Sequence, residues 1–252
     1  MVDSSNDAGT ANPVNPVQPP KQYDIVEIVC LSHFFQFEKA CYKNNKETEM
    51  NIGILGAKNI GSTLAKKWVS AGHHILFGVR NTQNPELIAL VEALGKNAAF
   101  GSAADAIQFG EVVVFAIPGN AMDETIRSNA ELLDGKIIID AANRMGEREM
   151  NSYQTFRAHT PHAKIYRAFN NLGWENFETP VIRGIQVDLF YCGDEGESQH
   201  KVNDLIRDIP LNPVYLGDMS QVHLVDMIAT LWFRLAFGQK LGRRIAFKLL
   251  IE

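Results

Sequence analysis

The sequence contains little cysteine, no surplus of basic residues and no long apolar run. Its 252 residues include three cysteines, Cys30, Cys41 and Cys192, which are too few and too scattered for a disulfide framework or a zinc site. This predicts a protein of the reducing cytoplasm with no metal centre. The formal net charge of −5 and the absence of basic clusters argue against a nucleic-acid partner.

The pattern of apolar residues also argues against a membrane protein. No stretch of about 18 uncharged apolar residues occurs, because even the apolar C-terminal segment contains charges such as Asp226, Arg234 and Lys240. The N-terminus lacks the positively charged region of a signal peptide. We therefore expect a protein that neither spans a membrane nor is exported.

The sequence divides into three predicted parts. Residues 1–49 begin with a stretch rich in Ser, Asn, Pro and Gly, which predicts a disordered or poorly ordered extension. In residues 50–155, β-type runs alternate with amphipathic helical patterns, as in the doubly wound parallel sheet of a Rossmann domain. Residues 156–252 are predicted to form a smaller C-terminal α/β part that binds an acceptor or another subunit.

Apolar runs and alternation place the individual elements. The predicted strands lie at 51–55, 74–79, 98–100, 111–117, 136–140, 164–169, 187–192 and 213–216. A helix is expected around 195–207 and a long helical segment from about 219 to the end of the chain. The apolar face of that last segment is too wide for a lone surface helix, so we expect it to pack against the nucleotide domain or to form a homodimer.

A glycine-containing turn follows the first predicted strand and opens a helical pattern. Its residues are Gly56, Ala57, Lys58, Asn59, Ile60 and Gly61. In this position the pyrophosphate of a dinucleotide binds the N-terminus of the helix. Lys58 stands where a second glycine would normally let the backbone approach the phosphates, and its ammonium could contact them instead.

The end of the second predicted strand indicates which dinucleotide is bound. NAD-selective domains place an acidic residue there to hold the ribose hydroxyls, but no acidic residue occurs between Gly61 and Pro85. The strand instead ends at Arg80 and Asn81. Since an arginine can pair with a 2′-phosphate, NADP(H) is the predicted cofactor.

Two further strand ends are expected at the same crevice. The fourth predicted strand ends at Ile117 and Pro118, and the fifth is followed by Asn143. Pro118 leaves the strand where a nicotinamide ribose would lie, and Asn143 offers both a donor and an acceptor. Ordinary turns at strand ends would also explain these residues.

Several short motifs occur in one order and carry a family resemblance. They begin with Gly53-Ile54-Leu55-Gly56, Gly78-Val79-Arg80-Asn81 and Ala116-Ile117-Pro118, and continue with Asp140-Ala141-Ala142-Asn143, Arg167-Ala168-Phe169-Asn170-Asn171-Leu172-Gly173 and Tyr191-Cys192-Gly193-Asp194. Over about residues 50–250 the chain resembles the coenzyme F420-dependent NADP oxidoreductases. The resemblance implies hydride exchange between NADP(H) and a deazaflavin or flavin, with Ala57, Asn59, Ile60, Arg80 and Ile117 lining the NADP site.

The predicted function is therefore an NADPH-dependent oxidoreductase that passes hydride to a deazaflavin, a flavin or a similar small acceptor. No catalytic residue is identified, because hydride transfer between stacked rings depends mainly on positioning. Two alternatives stay open at this point. One is an imine or carbonyl reductase like the pyrroline-5-carboxylate reductases, which would need a proton donor. The other is an interaction module that senses NADP(H) without turnover.

Overall fold

The computed structural model describes Met1 and residues 49–252. The extension predicted for residues 1–49 therefore lies almost entirely outside the described residues. The strands are β1 (Asn51–Leu55), β2 (His74–Gly78), β3 (Ala98–Gly101), β4 (Val112–Phe115), β5 (Ile137–Asp140), β6 (Lys164–Arg167), β7 (Val181–Ile182), β8 (Ile185–Gln186), β9 (Asp188–Gly193) and β10 (Asn212–Tyr215). The helices are α1 (Asn59–Ala71), α2 (Pro85–Leu94), α3 (Ala103–Phe109), α4 (Met122–Ser128), α5 (Ala130–Leu133), α6 (Tyr153–His159), α7 (Trp174–Glu178), α8 (Glu197–Arg207) and α9 (Val222–Phe233).

Eight of the strands form one sheet in the order β3-β2-β1-β4-β5-β6-β9-β10. Strands β1 to β6 are parallel, β9 is antiparallel to β6, and β10 is parallel to β9. From β1 the chain proceeds outward to β2 and β3, and then returns to β4 on the other side of β1. This reversal creates a crevice at the carboxyl ends of β1 and β4, where doubly wound sheets bind ligands. The predicted Rossmann-type fold is confirmed.

The core lies on both faces of this sheet. All four residues of β4 are buried, as their uninterrupted apolar run predicts for a central parallel strand. On α1, Leu64 and Trp68 are fully buried, and the indole Nε1 of Trp68 donates to the carbonyl oxygen of Leu205 at 2.8 Å. Helix α1 ends at Ala71, and the following Gly72 has a left-handed φ of 104°. The amphipathic stripe of this helix thus fixes α1 against the sheet and against α8.

Two strands are shorter than predicted by more than one residue, and one hairpin is new. The predicted strand 111–117 is reduced to Val112–Phe115, just before Pro118, and the predicted strand 164–169 ends at Arg167. Phe169 leaves the extended conformation with a φ of 63°. The small antiparallel pair β7–β8 was not predicted, although Arg183 and Gly184 at its turn both have positive φ, as in a tight hairpin turn.

The prediction of a helix from about residue 219 to the end of the chain is wrong. Helix α9 ends at Phe233, a single π-helical turn covers Arg234–Gly238, and no helix follows. Lys240 and Gly242 have φ values of 56° and 80°, which an α-helix cannot accommodate. The apolar residues Ile245, Ala246 and Phe247 pack on the core from an irregular segment. The homodimer expected through this region stays a prediction.

Among residues 49–252, none of the helices is long and apolar enough to cross a bilayer.

Helix α3 starts with a complete capping box directly after β3. The Ser102 hydroxyl accepts from the backbone N–H of Asp105 at 3.1 Å, and the Asp105 carboxylate accepts from the backbone N–H of Ser102 at 2.8 Å. The sequence pattern of a serine followed three residues later by an acid predicts this arrangement, and the structure contains it. Hydrogen bonds from Ser102 lower the pKa of Asp105 below its ordinary value.

We expect Ser102→Ala to destabilise the protein by about 1 kcal/mol, the usual effect of losing a serine N-cap, when measured by urea unfolding. The pKa of Asp105 should rise toward its ordinary value, which an NMR titration of its carboxyl carbon would detect. Ser70→Ala is the control, because Ser70 is exposed and its hydroxyl only donates to the carbonyl oxygen of Lys66 within α1. Similar effects of the two substitutions would contradict a stabilising role for the capping box.

Candidate functional site

The turn between β1 and α1 has the geometry of a nucleotide-binding loop. Gly56 has a φ of 98°, and a Cβ there would lie 2.5 Å from the carbonyl oxygen of Ala116. A Cβ on Gly61 would overlap the carbonyl oxygen of Gly56. Both positions therefore require glycine, the first for the turn and the second for close packing of α1 on β1.

Lys58 fits the backbone of this turn without strain. It has φ −83° and ψ −167° and precedes the first residue of α1. This extended conformation is open to any residue, so a glycine is not required for the fold at this position. Lys58 and Asn59 are exposed, while Ala57 and Ile60 pack partly against the core. The backbone N–H groups of the first turn of α1 have no carbonyl partner within the helix, which makes this end suitable for an anion.

Arg80 and Asn81 follow β2 and are both exposed. The ion pairs found within residues 49–252 do not include Arg80. The Asn81 side chain instead has a structural role, since its Oδ1 accepts from the backbone N–H of Gln83 at 3.0 Å. Arg80 is thus available for an external anion, and Asn81 shapes the turn beside it.

The turn after β4 lies against the turn after β1. A Cβ on Gly56 would lie 3.2 Å from Cγ2 of Ile117, so Ile117 flanks the glycine turn. Pro118 is exposed, and Gly119 packs so tightly that a Cβ would lie 2.5 Å from the carbonyl oxygen of Asn143. The predicted residues Ile117, Pro118 and Asn143 therefore meet at neighbouring strand ends.

Asn143 is held by its neighbours as well as exposed to the crevice. Its Nδ2 donates to the carbonyl oxygen of Asn170 at 2.9 Å, and its Oδ1 accepts from Arg167 Nη2 at 2.7 Å. The side chain is half-buried. One amide hydrogen is left for a ligand, because a primary amide has two.

A buried guanidinium organises the carboxyl ends of β5 and β6. Arg167 is fully buried and forms ion pairs with Asp140 at 3.1 Å and with Asp226 of α9 at 2.9 Å. It also donates to the carbonyl oxygens of Asp140, Ala142 and Met150. One buried cation therefore joins two strands, the loop after β5, and α9.

Asp140 is buried beside Arg167 and has two backbone donors. Its carboxylate accepts from the N–H groups of Ala142 at 3.1 Å and Ser152 at 3.0 Å. Burial raises the pKa of Asp140, and the nearby Arg167 opposes this increase. The charge on Arg167 is thus the largest of the interactions that favour the ionised form of this carboxyl group.

The segment after β6 has two features typical of functional sites. Phe169 is fully buried with a φ of 63°, an unfavourable conformation for a bulky residue that commonly marks a binding or catalytic segment. Asn170 is 5% exposed, and within the described residues its Oδ1 has no hydrogen-bond partner. Since buried polar atoms are normally paired, this oxygen is suited to accept from a ligand N–H.

Sequence reasoning predicted a cofactor-binding turn at Gly56–Gly61 but missed the Arg167 cluster. Arg167 and Asn170 belong to a motif that carried the family resemblance, yet neither received an individual role. Asp226 counted only as a charge that argued against a membrane helix. The partners Arg167 and Asp226 are separated by 59 residues, so no local spacing could have revealed their contact.

We expect Arg167→Met to destabilise the protein by about 3–5 kcal/mol, because it leaves Asp140 and Asp226 buried without their cation. Urea unfolding measures this change. The matched control is Arg207→Met, which removes an exposed pair with Asp204 and should change stability by no more than about 0.5 kcal/mol. Equal effects of the two substitutions would contradict the structural importance of the buried cluster.

The same variant should have an altered pH dependence. Without Arg167, only the hydrogen bonds from the backbone N–H groups of Ser152 and Ala142 oppose the upward shift in the pKa of Asp140 caused by burial. A carboxyl group whose folded pKa is raised loses stability as the pH rises above its unfolded value of about 3.9. The loss of unfolding free energy caused by Arg167→Met should therefore be larger at pH 8 than at pH 5. A loss that does not depend on pH would count against this explanation.

Comparison with known families supports the resemblance inferred from the sequence. Residues 51–144 match the model of a family described as NADP oxidoreductase, coenzyme F420-dependent. This match covers the glycine turn, Arg80 and the ends of β4 and β5. The match supports the family resemblance inferred from the motifs over residues 51–144.

The chain is also similar to curated proteins in sequence and to solved structures in fold. Rat metalloreductase STEAP3 is 26% identical over 183 residues, covering 70% of this chain but 36% of the relative, so the chain spans about a third of that protein. A structure from Arthrobacter sp. FB24, considered an F420-dependent NADP reductase, has a TM-score of 0.69 at 21% identity and covers 80% of this chain and 100% of its own. A reductive aminase from Aspergillus terreus in complex with NADPH has a TM-score of 0.54 at 18% identity, covering 75% of this chain and 63% of its own.

Proposed function

Because residues 51–144 match the model of the coenzyme F420-dependent NADP oxidoreductase family, we propose that this protein is an NADP(H)-dependent oxidoreductase. The proposed acceptor of the hydride is a deazaflavin, a flavin or a similar small molecule. The observation that carries the proposal is the exposed Arg80 at the end of β2, in a region without any acidic residue between Gly61 and Pro85. Such a strand end favours a 2′-phosphate over a free ribose hydroxyl.

The residues present fit a dinucleotide phosphate. The cradle at Gly56 leaves no room for a Cβ, and the first turn of α1 offers unpaired N–H groups to a pyrophosphate. Lys58 lies beside these groups and is exposed, so its positive charge adds to the attraction for phosphate. The turn therefore provides a suitable site although its second glycine is replaced.

The residues near the ends of β4, β5 and β6 fit a nicotinamide. Ile117 and Pro118 provide an apolar edge next to the glycine turn. Asn143 offers an amide hydrogen, and Asn170 Oδ1 is a buried acceptor without a partner in the described residues. A carboxamide has both a donor and an acceptor, which these two side chains match. NADP(H), when bound, supplies the hydride, and the chain contributes position and the exclusion of water.

We expect the protein to bind NADPH about 10- to 150-fold more tightly than NADH, the range for a charge-assisted contact. Arg80→Ala should remove most of this preference while leaving NADH binding and thermal stability nearly unchanged. Fluorescence titration gives both dissociation constants. Arg127→Ala, an exposed arginine in the last turn of α4, is the control. Equal weakening of NADPH and NADH by Arg80→Ala would contradict its proposed contact with the 2′-phosphate.

The acceptor can be tested by following NADPH oxidation with a panel of redox partners. We expect oxidation in the presence of FMN, riboflavin or a 5-deazaflavin, because the reaction requires a flat ring beside the nicotinamide. Reduction of pyrroline-5-carboxylate instead would identify an imine reductase. Tight NADPH binding without oxidation by any of these compounds would favour an NADP(H)-sensing module and refute the proposed activity.

A further inference from the structure

A cavity of about 400 Å³ lies between the loop after β5 and helix α9. This volume is within the range of about 300–1,000 Å³ typical of small-molecule sites. The loop contributes residues 144–151, and the cavity also contacts the start of α6 and one face of α9. It begins at Arg144, directly after Asn143, and so adjoins the end of β5.

The walls of this cavity combine apolar surfaces with one buried carboxylate. Met150, Tyr153, Val222 and Met227 provide thioether, aromatic and aliphatic surfaces, which suit a flat ring. Asp226 also lines the cavity, and its side chain is 13% exposed. The walls therefore offer a polar anchor within a largely apolar contact surface.

The Asp226 carboxylate is held in place by hydrogen bonds, but not all of its acceptor sites are used. Its Oδ1 accepts from Arg167 Nε at 2.9 Å and from Asn170 Nδ2 at 3.4 Å, and its Oδ2 accepts from Asn151 Nδ2 at 2.7 Å. An ionised carboxylate has about four acceptor sites, so three donors leave one. Because Asp226 lines the cavity, this remaining site is available to a ligand there.

The local charge favours a hydrogen-bond donor over an anion. Arg167 is a single cation between the carboxyl groups of Asp140 and Asp226, so both carboxyl groups share its one positive charge. At the rim, Arg144 is paired with Asp123. The other rim residues include two exposed carboxylates, Glu147 and Glu149, and one exposed guanidinium, Arg148, with His223 nearby. An N–H group is therefore attracted to Asp226, whereas a ligand carboxylate would be repelled.

We infer that this cavity binds the flat ring of a flavin-type acceptor and that Asp226 accepts a hydrogen bond from the ring imide N–H. The inference rests on the proposed function, since it assigns the acceptor site of that same reaction. Lumiflavin and 3-methyllumiflavin are suitable probes, because they share the ring system and differ in whether the imide nitrogen bears a hydrogen. Asp226 thus becomes a specificity-determining residue for the acceptor.

The test is fluorescence titration of the full-length protein with both probes in the absence of NADPH. We expect lumiflavin to bind at least roughly ten-fold more tightly than 3-methyllumiflavin, as for the loss of a hydrogen bond to a charged group. Asp226→Asn should reduce this preference, and Glu149→Gln, which removes an exposed rim carboxylate, should preserve it. Equal affinities for the two probes, or no binding of either, would overturn the inference.

Asp226→Asn could unfold the protein, because Asp226 is paired with a fully buried arginine. Thr230→Trp is therefore a second variant, since Thr230 is exposed on α9 and lines the cavity. The larger side chain should fill the cavity and prevent lumiflavin binding while NADPH binding is retained. Unchanged lumiflavin binding in Thr230→Trp would place the flavin elsewhere. A separate NADPH titration distinguishes this failure from failure of the proposed function, which predicts NADPH binding whatever the flavins do.

Discussion

The desolvated charge of Arg167 is the constraint on which the arrangement of this crevice depends. A guanidinium with no solvent exposure is stable only when surrounding carboxylates and carbonyls replace its water. Those groups come from β5, from the loop that follows it, and from α9. A shift of helix α9 relative to the ends of β5 and β6 would therefore expose or unpair the charge of Arg167. The Arg167 guanidinium also holds the side chain of Asn143 in place.

The parts of the molecule that could be predicted are those determined by near neighbours in sequence. The apolar run Val112–Phe115 reveals a strand buried on both faces because burial acts on every residue of a central strand. Ser102 and Asp105 reveal a helix start because the capping hydrogen bonds close within three residues. The glycine turn is similarly local. These features determine the fold and most of the candidate cofactor site.

The features that escaped prediction depend on partners far along the chain. In residues 239–252 the apolar side chains fall at spacings compatible with a helix, but tertiary hydrogen bonds determine the backbone. The indole of Trp232 donates to the carbonyl oxygen of Ile245 at 2.9 Å, and Asn176 donates to that of Arg243 at 3.1 Å. Lys248 pairs with the buried Asp188 at 2.5 Å. The helical spacing of apolar residues is a local pattern. It contains no information about which distant donor will bind a given carbonyl group.

The cavity beside α9 lies almost entirely outside the family match. That match ends at residue 144, and the lining of the cavity beside α9 begins at Arg144. Binding a dinucleotide imposes the same turn and strand ends on every protein that uses this fold, so these residues form a common pattern. Recognition of a second ligand imposes no such common pattern, because function is added to a fold through individual sites. In this chain the second site would be built from the loop after β5 and α9, which meet through Arg167 and Asp226.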